Sequence, residues 1–209
     1  MIEVNEVVVT AGDVTLLPPV SVTARRGTAL VVRGRNGTGK STLLRVLAGA
    51  RQPSSGIVKI GGGAVASRDR GFRRMVAAMI GLPPTAPDLT VFDHVLLVTT
   101  TWLDDPRAAV ELAHRVIAEL GLSALGLRFP HELSSGQTQL FGIALVMARP
   151  FEVLILDEPE QWLDPEHVES VTHVLRARRD EGATVVVATH SPVLSDGLAD
   201  DTLWLDAAA

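Results

Sequence analysis

The sequence of 209 residues contains no cysteine and only 4% aromatic residues. The lack of cysteine excludes disulfide bonds and thiolate metal sites and is compatible with a reducing cytoplasm. Tyrosine is also missing, and no aromatic residue precedes Phe72. No apolar run approaches the roughly 18–20 residues that cross a bilayer, and the N-terminus, MIEVNEVVV, does not resemble a secretory signal. Any work at a membrane is therefore expected to go through a partner.

The formal net charge is −5. This charge argues against a protein that binds nucleic acid through bulk electrostatic attraction, although a local basic patch is compatible with it. Hydrophobic residues make up 46% and charged residues 21%, a balance typical of globular proteins. We expect one domain over residues 1–209 with a core of good size.

The hydrophobic pattern predicts an α/β fold. Alternating apolar residues at 2–10 and a turn at Gly12-Asp13 indicate antiparallel strands that lead into a buried strand at 29–32. Residues 152–156 and 184–189 are short, almost continuous apolar runs. Such runs are typical of strands that are buried on both faces of a parallel sheet.

Helical segments are predicted around these strands. Residues 166–182 are predicted as a crossover helix between the strands at 152–156 and 184–189. The glycines at 61–63 are predicted as a flexible connection. The proline-rich segment 82–87 can continue neither a helix nor a central strand and marks a boundary. Beyond it, residues 90–121 and 134–148 are predicted as mainly helical. The expected division is a core of residues 1–81 and 150–209 with a helical lobe of about 82–149.

The segment GRNGTGKS at 34–41 lies between a predicted strand and a predicted helix. Its glycines let successive backbone N–H groups point at phosphate oxygens, and the helix N-terminus adds the favourable end of its dipole. Lys40 is predicted to reach the β- and γ-phosphates, and the Ser41 hydroxyl is predicted to bind Mg²⁺. The predicted nucleotide-binding residues of this P-loop are Gly34, Asn36, Gly37, Thr38, Gly39, Lys40, Ser41 and Thr42.

The segment LILDEP at 154–159 supplies two acidic residues at the end of a buried strand. The strand delivers Asp157 to the carboxyl end of the sheet, where it is predicted to bind Mg²⁺. Glu158 follows at once and is predicted to polarise the attacking water as general base.

The segment LSSGQ at 133–137 lies between the P-loop and LILDEP. The three motifs in this order resemble those of ATP-binding cassette (ABC) ATPases, and the resemblance covers essentially the whole chain. It implies the ABC ATPase fold, with a P-loop core that contains a parallel sheet, an antiparallel β lobe and a helical lobe. It also implies a dimeric clamp, in which the LSSGQ segment of one subunit closes over ATP held by the P-loop of the other.

The resemblance assigns further roles. Ser134, Gly136 and Gln137 approach the γ-phosphate bound by the opposite subunit. Ser135 belongs to the same predicted nucleotide-binding segment, where its hydroxyl would either contact the nucleotide or crowd it. His190 corresponds to a switch histidine, and Asp164 lies at the subunit interface in a D-loop that contains the unusually bulky Trp162. The predicted catalytic residues are Lys40, Glu158 and His190, and the predicted cofactors are ATP and Mg²⁺. The remaining histidines are assigned to solvated faces, namely His94, His114, His131, His167 and His173.

Three departures from the family pattern stand out. Ser135 replaces the first of two usual glycines, and no aromatic residue is available near Thr10 to Asp13 to stack on adenine. Weak discrimination between nucleotide bases is therefore expected. The glutamine of the Q-loop, which normally joins the two lobes, is missing from residues 80–90. Coupling between nucleotide and partner is expected to be altered.

The leading functional expectation is an ATP-hydrolysing subunit of an ABC membrane transporter. It would work with a separate transmembrane permease and a second ABC subunit, at the cytoplasmic, inner face of the cell membrane. Two alternatives are a soluble ABC ATPase that acts on nucleic acid or ribosomes and a regulatory cassette that does not hydrolyse ATP. The sequence shows none of the features usual for the first class, namely tandem cassettes, a long coiled coil or zinc cysteines. The second alternative is opposed by intact Lys40, Asp157, Glu158 and His190.

Overall fold

The computed structural model describes residues 1–205, which form an antiparallel sheet, a parallel sheet and seven α-helices. The last four residues of the predicted core segment, 206–209, lie outside the described residues. The antiparallel sheet has the strand order β2-β1-β4-β5. Its strands are β1 (Ile2–Ala11), β2 (Val14–Ala24), β4 (Ser55–Ile60) and β5 (Gly63–Ala64).

The parallel sheet has the order β6-β7-β8-β3-β9, and every neighbouring pair in it is parallel. Its strands are β3 (Ala29–Gly34), β6 (Val76–Met79), β7 (Val153–Asp157), β8 (Thr184–Ala188) and β9 (Asp201–Leu205). Because β7, β8 and β3 are adjacent, the chain segments that follow them meet at one edge of the sheet. In open α/β sheets this carboxyl edge is where ligands bind.

The helices cover this sheet and form a separate layer beside it. They are α1 (Lys40–Leu47), α2 (Arg70–Met75), α3 (Val91–Trp102), α4 (Pro106–Glu119), α5 (Ser135–Met147), α6 (Pro165–Asp180) and α7 (Pro192–Leu198). One apolar cluster joins α3, α4 and α5 to one face of the parallel sheet, while a second lies between the two sheets and α1. The predicted α/β fold with an antiparallel part and a helical part is therefore confirmed.

Two local predictions are wrong. The glycines at 61–63 do not form a flexible connection, because Gly61 and Gly62 have φ of 61° and 80° and make the tight turn between β4 and β5. His94 does not lie on a solvated face, since only 6% of it is exposed. Its Nε2 accepts a hydrogen bond from the Ala86 N–H at 2.9 Å, and its Nδ1 lies 2.8 Å from the Thr90 carbonyl oxygen. This histidine ties the proline-rich segment to α3.

The described helices include none that combines the length and apolar character needed to cross a membrane.

Candidate nucleotide-binding site

The P-loop has a backbone path that only glycine allows at two positions. Gly34 and Gly39 have φ of 152° and 99°. A Cβ at Gly34 would lie 2.4 Å from the Leu205 carbonyl oxygen, and one at Gly39 would lie 2.7 Å from that of Leu16. Both contacts are too short for a real Cβ, so the glycines let the loop lie against β9 and β2 while it enters α1.

The Lys40 side chain closes this loop. Its Nζ donates hydrogen bonds to the carbonyl oxygens of Gly34 at 3.0 Å and Arg35 at 3.2 Å. The Thr38 hydroxyl donates to the same Arg35 carbonyl at 2.9 Å. Lys40 is only 6% exposed, so its charge lies where electrostatic interactions are stronger than in water.

Three of the predicted catalytic side chains meet at the carboxyl edge of the parallel sheet. The Nε2 atom of His190 lies 3.1 Å from Lys40 Nζ and 3.5 Å from Glu158 Oε1. Glu158 follows β7 with a φ of 48°, and its N–H donates to the Ala188 carbonyl at 2.8 Å. We call Lys40, Glu158 and His190 the catalytic cluster. It unites an ammonium, a carboxylate and an imidazole from the segments that follow three neighbouring strands, β3, β7 and β8.

Asp157 carries a buried carboxylate oxygen, Oδ1, that has no hydrogen-bond partner among the described residues. A buried, unpaired oxygen of this kind is destabilising unless another group compensates it. Ser41 lines the groove beside the P-loop, together with Glu158. A hydroxyl and one carboxylate suit Mg²⁺, which usually keeps water and phosphate ligands besides one or two protein oxygens. The residues present therefore fit the predicted ion.

The groove along the P-loop, here called the phosphate groove, has a volume of about 500 Å³. It is lined by Val14, Thr15, Leu16, Asn36, Gly37, Gly39, Lys40, Ser41, Thr42 and Glu158. None of these described residues is aromatic. The wall that faces the P-loop is formed by residues 14–16 at the start of β2, and residues 10–13 do not line the groove.

The residues of the LSSGQ segment, 133–137, lie at the start of α5. Residues 134–137 line a second groove of about 560 Å³, here called the signature groove. Ser134 is the N-cap of α5, and its Oγ accepts from the Gln137 N–H at 3.3 Å. Gln137 returns the contact, since its Oε1 accepts from the Ser134 N–H at 2.9 Å. This capping box pairs two backbone N–H groups at the exposed N-terminus of α5.

The signature groove also contains the predicted D-loop. A Cβ at Gly136 would lie 2.8 Å from the Trp162 carbonyl oxygen, so this glycine lets α5 and the D-loop touch. Asp164 caps α6 and accepts from the His167 N–H at 2.9 Å. That backbone bond, followed by one from the His167 ring, holds the pKa of Asp164 below its usual value. The residues that line the signature groove are Ser134, Ser135, Gly136, Gln137, Leu140, Trp162, Leu163, Asp164 and His167.

The predicted residues thus fall into two separate groups. The P-loop residues, Asp157, Glu158 and His190 lie together, whereas residues 134–137 and Asp164 line the other groove, and no residue lines both. Sequence reasoning missed Gln139, whose buried Nε2 donates to the carbonyl oxygens of Glu158 at 3.1 Å and Pro159 at 3.2 Å. The signal for it was a glutamine that begins an otherwise apolar run, QLFGIALVM, all of which is buried. It also missed Glu160.

The fold and the P-loop together define a P-loop nucleotide-binding domain with a cassette-type arrangement of helices. The sequence profile of the ABC transporter family matches residues 17–161. The chain is 34% identical over 210 residues to the methionine import ATP-binding protein MetN of Cupriavidus necator, and the alignment covers 94% of this chain and 59% of that relative. It is also 34% identical over 214 residues to the phosphonates import ATP-binding protein PhnC 1 of Natronomonas pharaonis, covering 98% and 89%. The chain therefore belongs to the ABC transporter family.

A solved structure agrees in fold. A dimeric ATP-binding cassette in a post-hydrolysis state, bound to ADP and Pi, aligns with a TM-score of 0.87 at 22% identity, over 100% of this chain and 97% of that one. This likeness establishes the ABC ATPase fold. The chain spans about 59% of the length of the MetN relative.

Proposed function

We propose that the chain is the ATP-hydrolysing subunit of an ABC membrane transporter. The observation that carries the proposal is the catalytic cluster, in which Lys40, Glu158 and His190 lie within hydrogen-bonding or ion-pairing distance beside the P-loop. Its three side chains provide a phosphate-binding cation, a general base and a group that can sense the γ-phosphate.

In the proposed reaction, ATP lies in the phosphate groove with its β- and γ-phosphates on the P-loop N–H groups and Lys40. Glu158 accepts a proton from the attacking water, and His190 donates to the γ-phosphate or holds it in place. Ser41 and Asp157 would hold Mg²⁺, which neutralises charge on the phosphates and on the leaving group. ADP and phosphate are the products.

A second subunit would complete the site. The signature groove and the phosphate groove of the same chain share none of their lining residues, as far as the structure describes them. This separation supports a head-to-tail pair, in which residues 134–137 of one subunit contact ATP bound by the other. Closing the pair around ATP and opening it after hydrolysis would then be the mechanical step.

The mechanical step would act on a transmembrane permease from the cytoplasmic side. We assign the docking surface to residues of about 82–132 in the helical lobe, and the motor core to residues 1–81 and 150–209. Three large apolar side chains of this lobe, Leu82, Leu97 and Leu127, are exposed by 50%, 57% and 85% and would be available for contact with a partner. The relatives are named for different cargoes, so relatedness supports the motor function and not one cargo.

The experiment is a measurement of phosphate release by the purified chain, with Glu158→Gln as the test variant. We expect Mg²⁺-dependent turnover in the parent and a loss of about 10²–10⁴-fold in the variant, because the general base is removed. Binding of ATP should persist in the variant. Turnover of the parent and the variant at equal rates would contradict the assignment of Glu158. A parent that binds ATP without hydrolysing it would favour the regulatory cassette.

A further inference from the structure

We propose that Glu160 is a positioning residue that fixes His190 in the catalytic cluster, an inference that rests on the proposed ATPase function. Glu160 follows Glu158 and Pro159 in the turn after β7. Its side chain reaches the segment between β8 and α7, which contains His190.

Glu160 makes all its side-chain contacts through one oxygen. Oε1 accepts hydrogen bonds from the Thr189 hydroxyl at 2.5 Å, the His190 N–H at 2.9 Å and the Ser191 N–H at 3.2 Å. The Ser191 N–H also approaches the Thr189 hydroxyl oxygen at 2.9 Å. Hydrogen bonds to a carboxylate are about twice as strong as those between neutral groups. A single charged oxygen therefore gathers three consecutive residues.

The segment that Glu160 holds is anchored at its end by Ser191, which caps α7 and accepts from the Leu194 N–H at 3.3 Å. β8 ends at Ala188 and α7 begins at Pro192, so residues 189–191 belong to neither the sheet nor the helix. The one backbone hydrogen bond donated by these residues to the sheet, from the Thr189 N–H to the Val32 carbonyl, is 3.3 Å long. Among the described residues, the His190 N–H donates its hydrogen bond to the Glu160 carboxylate alone, so this carboxylate holds the backbone from which the His190 side chain extends towards Lys40 and Glu158.

Glu160 is itself held firmly. The Gln161 N–H donates to the Glu158 carbonyl at 3.0 Å, and the Leu163 N–H donates to the Glu160 carbonyl at 3.1 Å. Gln139 binds the carbonyls of the two preceding residues. Glu160 therefore links the turn that carries the general base to the loop that carries the histidine.

The arrangement also has an energetic disadvantage. The second carboxylate oxygen of Glu160, Oε2, is buried and has no hydrogen-bond partner among the residues described. A half-satisfied buried carboxylate weakens stability. Groups that reduce stability in this way are typical of positions where function needs a particular geometry.

The test compares kcat and KM for MgATP in Glu160→Ala, Glu160→Gln, His190→Ala and the double variant Glu160→Ala/His190→Ala. We expect Glu160→Ala to lower kcat by about 10- to 100-fold with little change in KM, since a misplacement of about 1 Å has effects of that order. Glu160→Gln keeps an acceptor oxygen at the same reach and should restore most of the turnover. The double variant should be no slower than His190→Ala alone, because Glu160 acts through His190.

Controls separate positioning from folding. Glu169→Ala removes an exposed carboxylate from α6, outside the site, and should leave kcat at the parental value. Should Glu160→Ala not fold, Glu160→Asp replaces it, because the shorter side chain keeps the charge and loses the three contacts. An effect of Glu160→Ala that adds in full to that of His190→Ala, or no effect on kcat, would overturn the proposal.

A second readout does not need hydrolysis. The NMR resonances of the His190 ring, assigned by their loss in His190→Ala, should shift in Glu160→Ala without nucleotide and return in Glu160→Gln. Unchanged resonances would overturn the inference even if the protein is an ATPase. Conversely, a parent without turnover that shows the expected shifts would refute the proposed function and leave the positioning role of Glu160 supported.

Discussion

Asp157 combines burial with an unpaired oxygen, and this combination can be tested by a single substitution. Because the described residues leave its Oδ1 without a partner, Asp157→Asn should be at least as stable as the parent without nucleotide. It should lose the stabilisation by MgATP, which would be about 2.7 kcal/mol at a ligand concentration 100 times Kd. Thermal unfolding with and without MgATP measures both effects. A variant that is stabilised by MgATP as strongly as the parent would show that Asp157 does not hold the ion.

The buried contacts of His94 lead to a prediction about the free energy of unfolding. His94→Leu replaces the ring with an apolar side chain of similar size and leaves the half-buried Ala86 N–H without its acceptor. Leaving such a group unpaired costs about 1–3 kcal/mol in the free energy of unfolding, which urea denaturation measures. His173→Leu, at an exposed position of α6, is the matched control and should change stability by less than about 0.5 kcal/mol. Equal stability of the two variants would contradict the assigned contacts of His94.

The wall of the phosphate groove predicts weak base selectivity. Val14, Thr15 and Leu16 offer apolar contact but no ring, and stacking of a base on an aromatic ring contributes roughly 1–3 kcal/mol in nucleic-acid complexes. GTP should therefore compete with ATP to within about tenfold, which corresponds to about 1.4 kcal/mol. A competition assay with fluorescent ATP tests this. Strong preference for ATP would indicate that other residues recognise adenine.

The roles of individual residues could be predicted where the residues belong to a local sequence motif. They could not be predicted where the residues contact partners that are distant in the sequence. Lys40, Glu158 and His190 each follow a buried strand in a motif of their own, and the structure brings them together. Glu160 and Gln139 act through partners that are 19 to 31 residues away in the sequence. No local pattern reveals such contacts.

At the scale of elements, the junction between α5 and the D-loop depends on one glycine. Gly136→Ala would improve helix propensity by about 1 kcal/mol if α5 stood alone. In the folded chain the new Cβ would lie 2.8 Å from the Trp162 carbonyl oxygen, so the D-loop must move. We expect a lower free energy of unfolding and weaker ATP-dependent association. Chemical denaturation and light scattering measure the two, with Ser135→Ala as the stability control at an exposed position of the same helix. A gain in stability for Gly136→Ala would contradict the contact.

The elements that sequence reasoning missed have weak local signals. The pattern predicted β3, α1, α5, β7, α6 and β8, which are long or bounded by clear glycine and proline signals. It missed α2, RGFRRM, where a glycine and three arginines obscure a helix that the Asp69 side chain caps by accepting from the Phe72 N–H at 2.7 Å. It also missed β6, VAAM, which has alanines that favour helices and becomes a strand by pairing with β7. Tertiary contacts override propensity in such short segments.

At the scale of the whole molecule, the described residues form two grooves that share no lining residue. The phosphate groove carries Lys40 and Glu158, and the signature groove carries Ser134 and Asp164. The proposed function requires that a second subunit bring its signature groove to the phosphate groove of the first. The division into a motor core and a helical lobe stays a prediction, since α3, α4 and α5 share an apolar cluster with the parallel sheet.

The most direct test of this account is the mass of the Glu158→Gln variant in solution, measured by light scattering with and without MgATP. Slow hydrolysis should trap the closed pair, so the account predicts one chain per particle without nucleotide and two with MgATP. Addition of Ser134→Ala and Gly136→Ala to the same variant should prevent this association while MgATP still binds. A variant that binds MgATP and remains a single chain would contradict the claim that two copies complete each other's sites.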